Sequence, residues 1–125
     1  MILIYHFGIF IYIDLSPCNQ MIFNNYLSLL KIKAISKICS KSYGFELLIL
    51  IYYQTQNDSD IGIEETYDKL MFNKSQRPAF INFINDLEHK GIITRNVSKT
   101  KKSKTLLRLS ATLMDEINQI LEIDS

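Results

Sequence analysis

A chain of 125 residues, 47% apolar and 22% charged, suits one globular domain and is short for a monomer with a separate catalytic site. Its net charge is only +1, yet Arg95 to Arg108 holds six positive residues and no acid, while Asp58 to Asp68 holds five acids and no base. The only cysteines, Cys18 and Cys39, form no C-x-x-C and have no neighbouring histidine, so neither a zinc site nor another cofactor is expected, and free thiols suit a reducing cytoplasm.

Met1 to Leu15, MILIYHFGIFIYIDL, is nearly all apolar, rich in β-branched and aromatic residues, and broken by Gly8. It lacks the positive start and small-residue cleavage site of a signal peptide. It also falls short of the roughly 20 residues of a membrane span. Three readings stay open: a strand or short helix packed on the domain or across a dimer, a weak membrane anchor, or a leader preceding a true start at Met21. The length argues against the anchor, so membrane association is not expected. Residues 1–20 are taken as an extension and 21–125 as the domain, with Ser16-Pro17-Cys18-Asn19 as the turn between them.

From Met21 to about Ser40 the spacing of Phe23, Tyr26, Leu27, Leu30, Ala34, Ile35 and Ile38 predicts one long helix. Ser42-Tyr43-Gly44 breaks it. Phe45 to Gln56 predicts a second helix, apolar nearly all round and therefore buried on most sides. Asn57 to Asp60 is a loop, and Ile61-Gly62-Ile63 a short strand. Glu64 to Phe72 predicts a third helix with Tyr67, Leu70 and Met71 inward and its carboxylates at the positive end of the dipole. That placement alone explains the acidic cluster, as a solvated helix start.

The organising stretch runs from Asn73 to Ser110. Ser75 is the expected N-cap of a helix, with Pro78 in its first turn and Ala79, Phe80, Phe83, Ile84 and Leu87 forming one apolar stripe. His89 and Lys90 suit its negative end, and Gly91 supplies a left-handed stop. Ile92 to Val97 and Thr105 to Leu109 then read as a hairpin, with Ser98 to Lys104 as a basic loop. A helix joined by one glycine to a basic-tipped hairpin is the second half of a winged helix-turn-helix. Thr112 to about Ile123 closes the chain as an amphipathic helix. Its stripe of Leu113, Ile117, Ile120 and Leu121 needs a partner, for which the first helix of the same or another subunit is the obvious choice.

Leu87-Glu88-His89-Lys90-Gly91-Ile92-Ile93-Thr94-Arg95 resembles the L-E-x-K-G-[LI]-[IV]-x-R signature of MarR-type regulators. Leu107-Arg108-Leu109-Ser110 resembles the v-x-L-T that closes their wing. The resemblance extends from about Phe23 to the C-terminus, and the short chain and lysine-rich loop look most like the SarA-like branch. It implies a mainly α fold with a small β-wing (α+β), a winged helix-turn-helix with N- and C-terminal dimerisation helices. One departure matters. The family's Asp-x-Arg pair falls on Lys101 and Ser103 or on Lys102 and Lys104, according to alignment, and the acid is absent either way. The family's wing-bracing salt bridge is therefore not carried over.

No phosphate-binding glycine loop, zinc-protease motif or nucleophile elbow is present, and two isolated histidines offer no triad, so an enzyme is not expected. The expected function is sequence-specific binding of double-stranded DNA by a homodimer that regulates transcription. Candidate contacts are Ser75, Gln76, Arg77 and Asn82 around the helix, and Arg95, Lys99, Lys101, Lys102 and Lys104 on the hairpin. Amides suit adenine edges, Arg suits guanine, Ile81 could touch a thymine methyl, and lysines suit phosphates. The alternative is a winged-helix adaptor that binds protein without specific DNA binding. Cys39, alone on an amphipathic helix, reads as a small buried hydrophobe.

Overall fold

In a computed structural model of the chain, residues 2–6, 9–13 and 17–121 are described, with side chains from Asn24 onward. Among them are six helices and two two-stranded antiparallel sheets, so the fold is mainly α with a small β component. β1 (Ile2–His6) pairs with β2 (Ile9–Ile13), Ile2 opposite Ile13. Extended backbone is what a run this rich in β-branched and aromatic residues favours. The expected packing of this stretch lies outside the described residues, as do the side chains of Cys18 and Phe23.

α1 (Pro17–Leu30) begins where a turn was expected, because proline at the first helical position has no N–H to lose. The single helix expected over Met21 to Ser40 is in fact two. The chain turns at Lys31-Ile32, and α2 (Lys33–Ile38) follows. The Ile32 N–H donates to the Leu29 carbonyl at 3.0 Å and the Ser36 hydroxyl to Leu30 O at 2.8 Å, which ties the bend. The apolar periodicity runs on across it because α2 still buries Ile35 and Ile38, although Leu27 of the expected stripe is 42% exposed, since α1 turns that residue away from the core.

α3 (Gly44–Gln56) starts against the end of α2, so closely that a Cβ on Gly44 would collide with the Ile38 carbonyl oxygen. It buries Leu47, Leu48 and Ile51 against the rest of the core. Burial on most sides was expected, but Phe45, Ile49 and Tyr53, one turn apart along α3, are 41%, 40% and 59% exposed. Apolar composition marks what can be buried; only one side of α3 meets α2, the following helix and the second hairpin.

The short strand expected over Ile61–Ile63 reduces to one antiparallel bridge, Gly62 to Leu106, because Ile63 already opens α4 (Ile63–Lys69). Glu65 reaches back to the Gly62 N–H at 3.3 Å, and the buried Thr66 hydroxyl donates to Gly62 O at 2.9 Å. α4 ends before Phe72. Leu70 is extended and buried, so Met71 leaves the helical stripe and, against expectation, is 78% exposed, with Phe72 at 65%. The Glu46 carboxylate of α3 accepts the N–H groups of Met71 at 3.0 Å and Phe72 at 3.1 Å, and Asn73 turns the chain at φ 54°.

α5 (Arg77–His89) is capped by Gln76, not Ser75, and without a side-chain bond. Pro78 at the second position fixes the first turn one residue later than a Ser75 cap would. Phe80, Phe83, Ile84 and Leu87 are buried, as their spacing predicts, but Ala79, expected in the same stripe, is exposed at the edge of the first turn. The stop is a Schellman arrangement: Gly91 at φ 75°, its N–H on Glu88 O at 3.0 Å, and the Ile92 N–H on Leu87 O at 3.0 Å. β3 (Ile93–Val97) then pairs with β4 (Thr105–Leu109), Ile93 opposite Leu109. α6 (Ala111–Leu121) buries Leu113 and Ile117 and packs on α1 of the same chain. Ile120 and Leu121 are half-buried, and Ile123 lies outside the described residues. Among the described residues no helix is long and apolar enough to cross a membrane.

Candidate nucleic-acid interface

α5 presents two kinds of polar residue. Gln76, just ahead of its start, and Asn82, on its outer side, are exposed, and among the described residues their amides make no hydrogen bond. Asn85 is exposed too, but its side-chain carbonyl accepts from Arg95 of β3. Ile81 is half-buried against the core rather than turned outward. The Ser75 hydroxyl is buried without a partner, while the Ser75 carbonyl accepts from the Tyr67 hydroxyl at 2.8 Å. Ser75 thus helps seat α5 on α4.

The basic candidates divide by whether the protein has already paired them. Arg77 forms an ion pair with Glu64, lies 3.6 Å from Asp68, and sits with its guanidinium 5.0 Å from the Tyr67 ring centre. The Lys74 ammonium is 4.5 Å from the same ring. Arg95 lies 3.2 Å from Glu88 as well as bonding Asn85. Lys104 meets Glu65 at 2.7 Å and Asp60 at 3.5 Å. Arg108 is buried, donating to Ser59 O at 2.6 Å and meeting Asp58 at 3.3 Å. The acidic run from Asp58 to Asp68, expected to be a solvated helix start, therefore faces the basic run and neutralises part of it. Lys99, Lys101 and Lys102 are exposed and, among the described residues, make no ion pair. The lysines of the loop thus differ sharply, three free and one held.

The loop is anchored by a residue that sequence reasoning did not single out. Asp60, ahead of α4, accepts the Ser98 hydroxyl at 2.6 Å and the Thr100 hydroxyl at 2.6 Å. The Ser98 oxygen in turn accepts the backbone N–H groups of Thr100 and Lys101, both at 3.2 Å. These hydroxyls, with Lys104 nearby, hold the Asp60 carboxyl below the ordinary carboxylate range. Bonding from Lys104 does the same to Glu65. A brace of this kind replaces the acid that the hairpin itself lacks. The one available signal was the juxtaposition in sequence of an all-acidic and an all-basic run, which does not say which residues meet.

Glu64 and Glu65 are neighbours in the first turn of α4, and one holds the start of α5 while the other holds the hairpin loop. That single turn thus ties both the start of α5, through Arg77, and the base of the hairpin loop, through Lys104, to α4. No group of acidic, histidine or cysteine side chains suited to a metal occurs among the described residues. No protein-family model matches the chain, and no curated protein does either.

Proposed function

We propose that the protein binds double-stranded DNA and regulates transcription as a homodimer, in the manner of the MarR-type regulators that its motif resembles. In this reading α4 and α5 form the helix-turn-helix, α5 enters the major groove, and β3–β4 is the wing whose loop meets phosphate or minor groove. The observation that carries the reading is the pairing pattern. Arg95, Lys104 and Arg108 each meet an acid of the chain, while Lys99, Lys101 and Lys102 make no ion pair among the described residues, on a loop that Glu65 of α4 holds through Lys104 while the adjacent Glu64 holds Arg77 of α5. Gln76 and Asn82 are then the residues poised to read bases, and Arg77 reads only by leaving Glu64 and Asp68. A cytoplasmic site of action goes with this function.

The test is salt-dependent retardation of duplex DNA by the purified protein. Replacing Lys99, Lys101 and Lys102 by Ala together should lower the log–log salt slope by up to about 3. Failure of the unmutated protein to bind any duplex in a salt-sensitive way would sink the proposal. One observation favours the adaptor reading. Met71, Phe72 and Val97 are 78%, 65% and 67% exposed, and apolar side chains of that size beside the interface suit a protein partner.

A further inference from the structure

α5 is flanked by more than the hairpin. Asn85 and Glu88 face β3, where they hold Arg95. One residue on from Asn85, about 100° around the helix, Asp86 faces a different neighbour, Lys37 of α2. There a cleft of about 360 Å³ opens between α5 and the corner that joins α2 to α3. Lys37, Ser40 and Lys41 form one wall, Asn82 and Asp86 the other. Phe83, only 5% exposed, and the exposed Ala79 also line it, so the surface offered to a ligand is mixed, with polar groups on both walls and apolar surface between them.

The charges in and beside this cleft do not balance. Lys37 and Lys90 share the single carboxylate of Asp86, at 3.6 and 3.2 Å. Lys41 lies with its ammonium 5.4 Å from the Phe83 ring centre and, among the described residues, has no carboxylate. Lys90 beside Lys37 holds the Lys37 ammonium below its ordinary range, a repulsion that an incoming anion would relieve. The Ser40 hydroxyl donates to Lys37 O at 2.7 Å, so its lone pairs rather than its proton face the cleft, and the lysines supply the donors.

We propose that this cleft is a second backbone-phosphate site, in which Lys41 and Lys37 take a phosphodiester on the side of α5 away from the hairpin. The inference rests on α5 being the DNA-reading helix. Asn82 decides for DNA over a small free anion, because it is both a wall of the cleft and one of the two amides, with Gln76, proposed to read bases. A strand whose base meets Asn82 carries its own phosphates past Lys41. Gripping phosphates on both sides of α5 would fix its register in the groove without adding sequence preference.

The experiment compares the salt slope of duplex binding for the unmutated protein, Lys41→Gln, Lys37→Gln/Lys41→Gln and the triple alanine variant of Lys99, Lys101 and Lys102, with a thermal melt of each. Lys41→Gln should lower the slope by about 1 and the double variant by about 2, equally on preferred and random duplex. Melting temperatures should stay unchanged, and Lys41→Arg should restore the slope. An unchanged slope for both glutamine variants, with a reduced one for the triple variant, would overturn the cleft site and leave DNA binding standing. Absence of salt-sensitive binding by the unmutated protein would remove both.

Discussion

Cys39 has no exposed surface, and burial pushes its thiol up to about 11, so it stays protonated at neutral pH and is a poor nucleophile. In a Cys18→Ser background, thiol reagents at pH 8 should leave Cys39 untouched until denaturant is added. Rapid modification of the native protein would contradict this. Asp60 behaves in the opposite sense. Its folded-state carboxyl titrates below the usual range, so the anchoring it provides is complete above that range and is lost as pH falls through the lowered value. Amide exchange at Ser98 and Lys104 should therefore accelerate on acidification relative to the core amides of α5, once the intrinsic pH dependence is removed. Asp60→Asn should show the faster exchange already at neutral pH. Cys39 was legible from the sequence, because a small apolar thiol within an apolar stripe has one ordinary fate. Asp60 was not, since its partners lie about 40 positions away and nothing local marks them.

At the scale of elements, α5 was the most legible because three independent signals agree on it: the stripe, the proline in its first turn, and Gly91 at its stop. Phe83→Ala should cost about 3–5 kcal/mol through the cavity it opens. Asn82→Ala should change stability by no more than about 0.5 kcal/mol, yet weaken binding to a preferred duplex by roughly 1–3 kcal/mol if its amide bonds an adenine. A melt and a titration on each variant separate the two effects. Equal losses on preferred and random duplex for Asn82→Ala would remove it from base reading. The bend between α1 and α2 was illegible for a definite reason. Lys31-Ile32 contains neither glycine nor proline, and apolar residues recur at helical spacing on both sides of it, so periodicity cannot see a change of direction.

For the whole molecule, the C-terminal stripe finds its partner inside the chain, so Ile117→Asp should act on folding first. The surface left for a second copy is elsewhere. Phe45, Ile49 and Tyr53 form a partly exposed apolar row on α3, with Phe45 edge-on to Tyr26 of α1 at 5.6 Å. If the protein is the homodimer proposed above and this row is its contact, Ile49→Asp should give monomers by sedimentation with the helical melt of a folded chain. Ile117→Asp should give a lowered melt. A native monomer for the unmutated protein would point to a half-site rather than a palindromic target. That α6 is amphipathic was plain in the sequence. Which helix, of which subunit, covers it depends on loop geometry that side-chain periodicity does not encode.

Lys104 illustrates what it means for a protein to hold its own cations. A phosphate that drew Lys104 away from Glu65 and Asp60 would take from Glu65 the main bond that depresses its titration, while Asp60 would keep its two hydroxyl donors. The Glu65 carboxyl would then return toward the ordinary carboxylate range. If a duplex binds as proposed above and engages Lys104, protons would be taken up only near that range and not at neutral pH. In that acidic window complex formation would be coupled to buffer, with an apparent calorimetric heat that varies with the ionisation enthalpy of the medium, and acidity would act as a co-ligand.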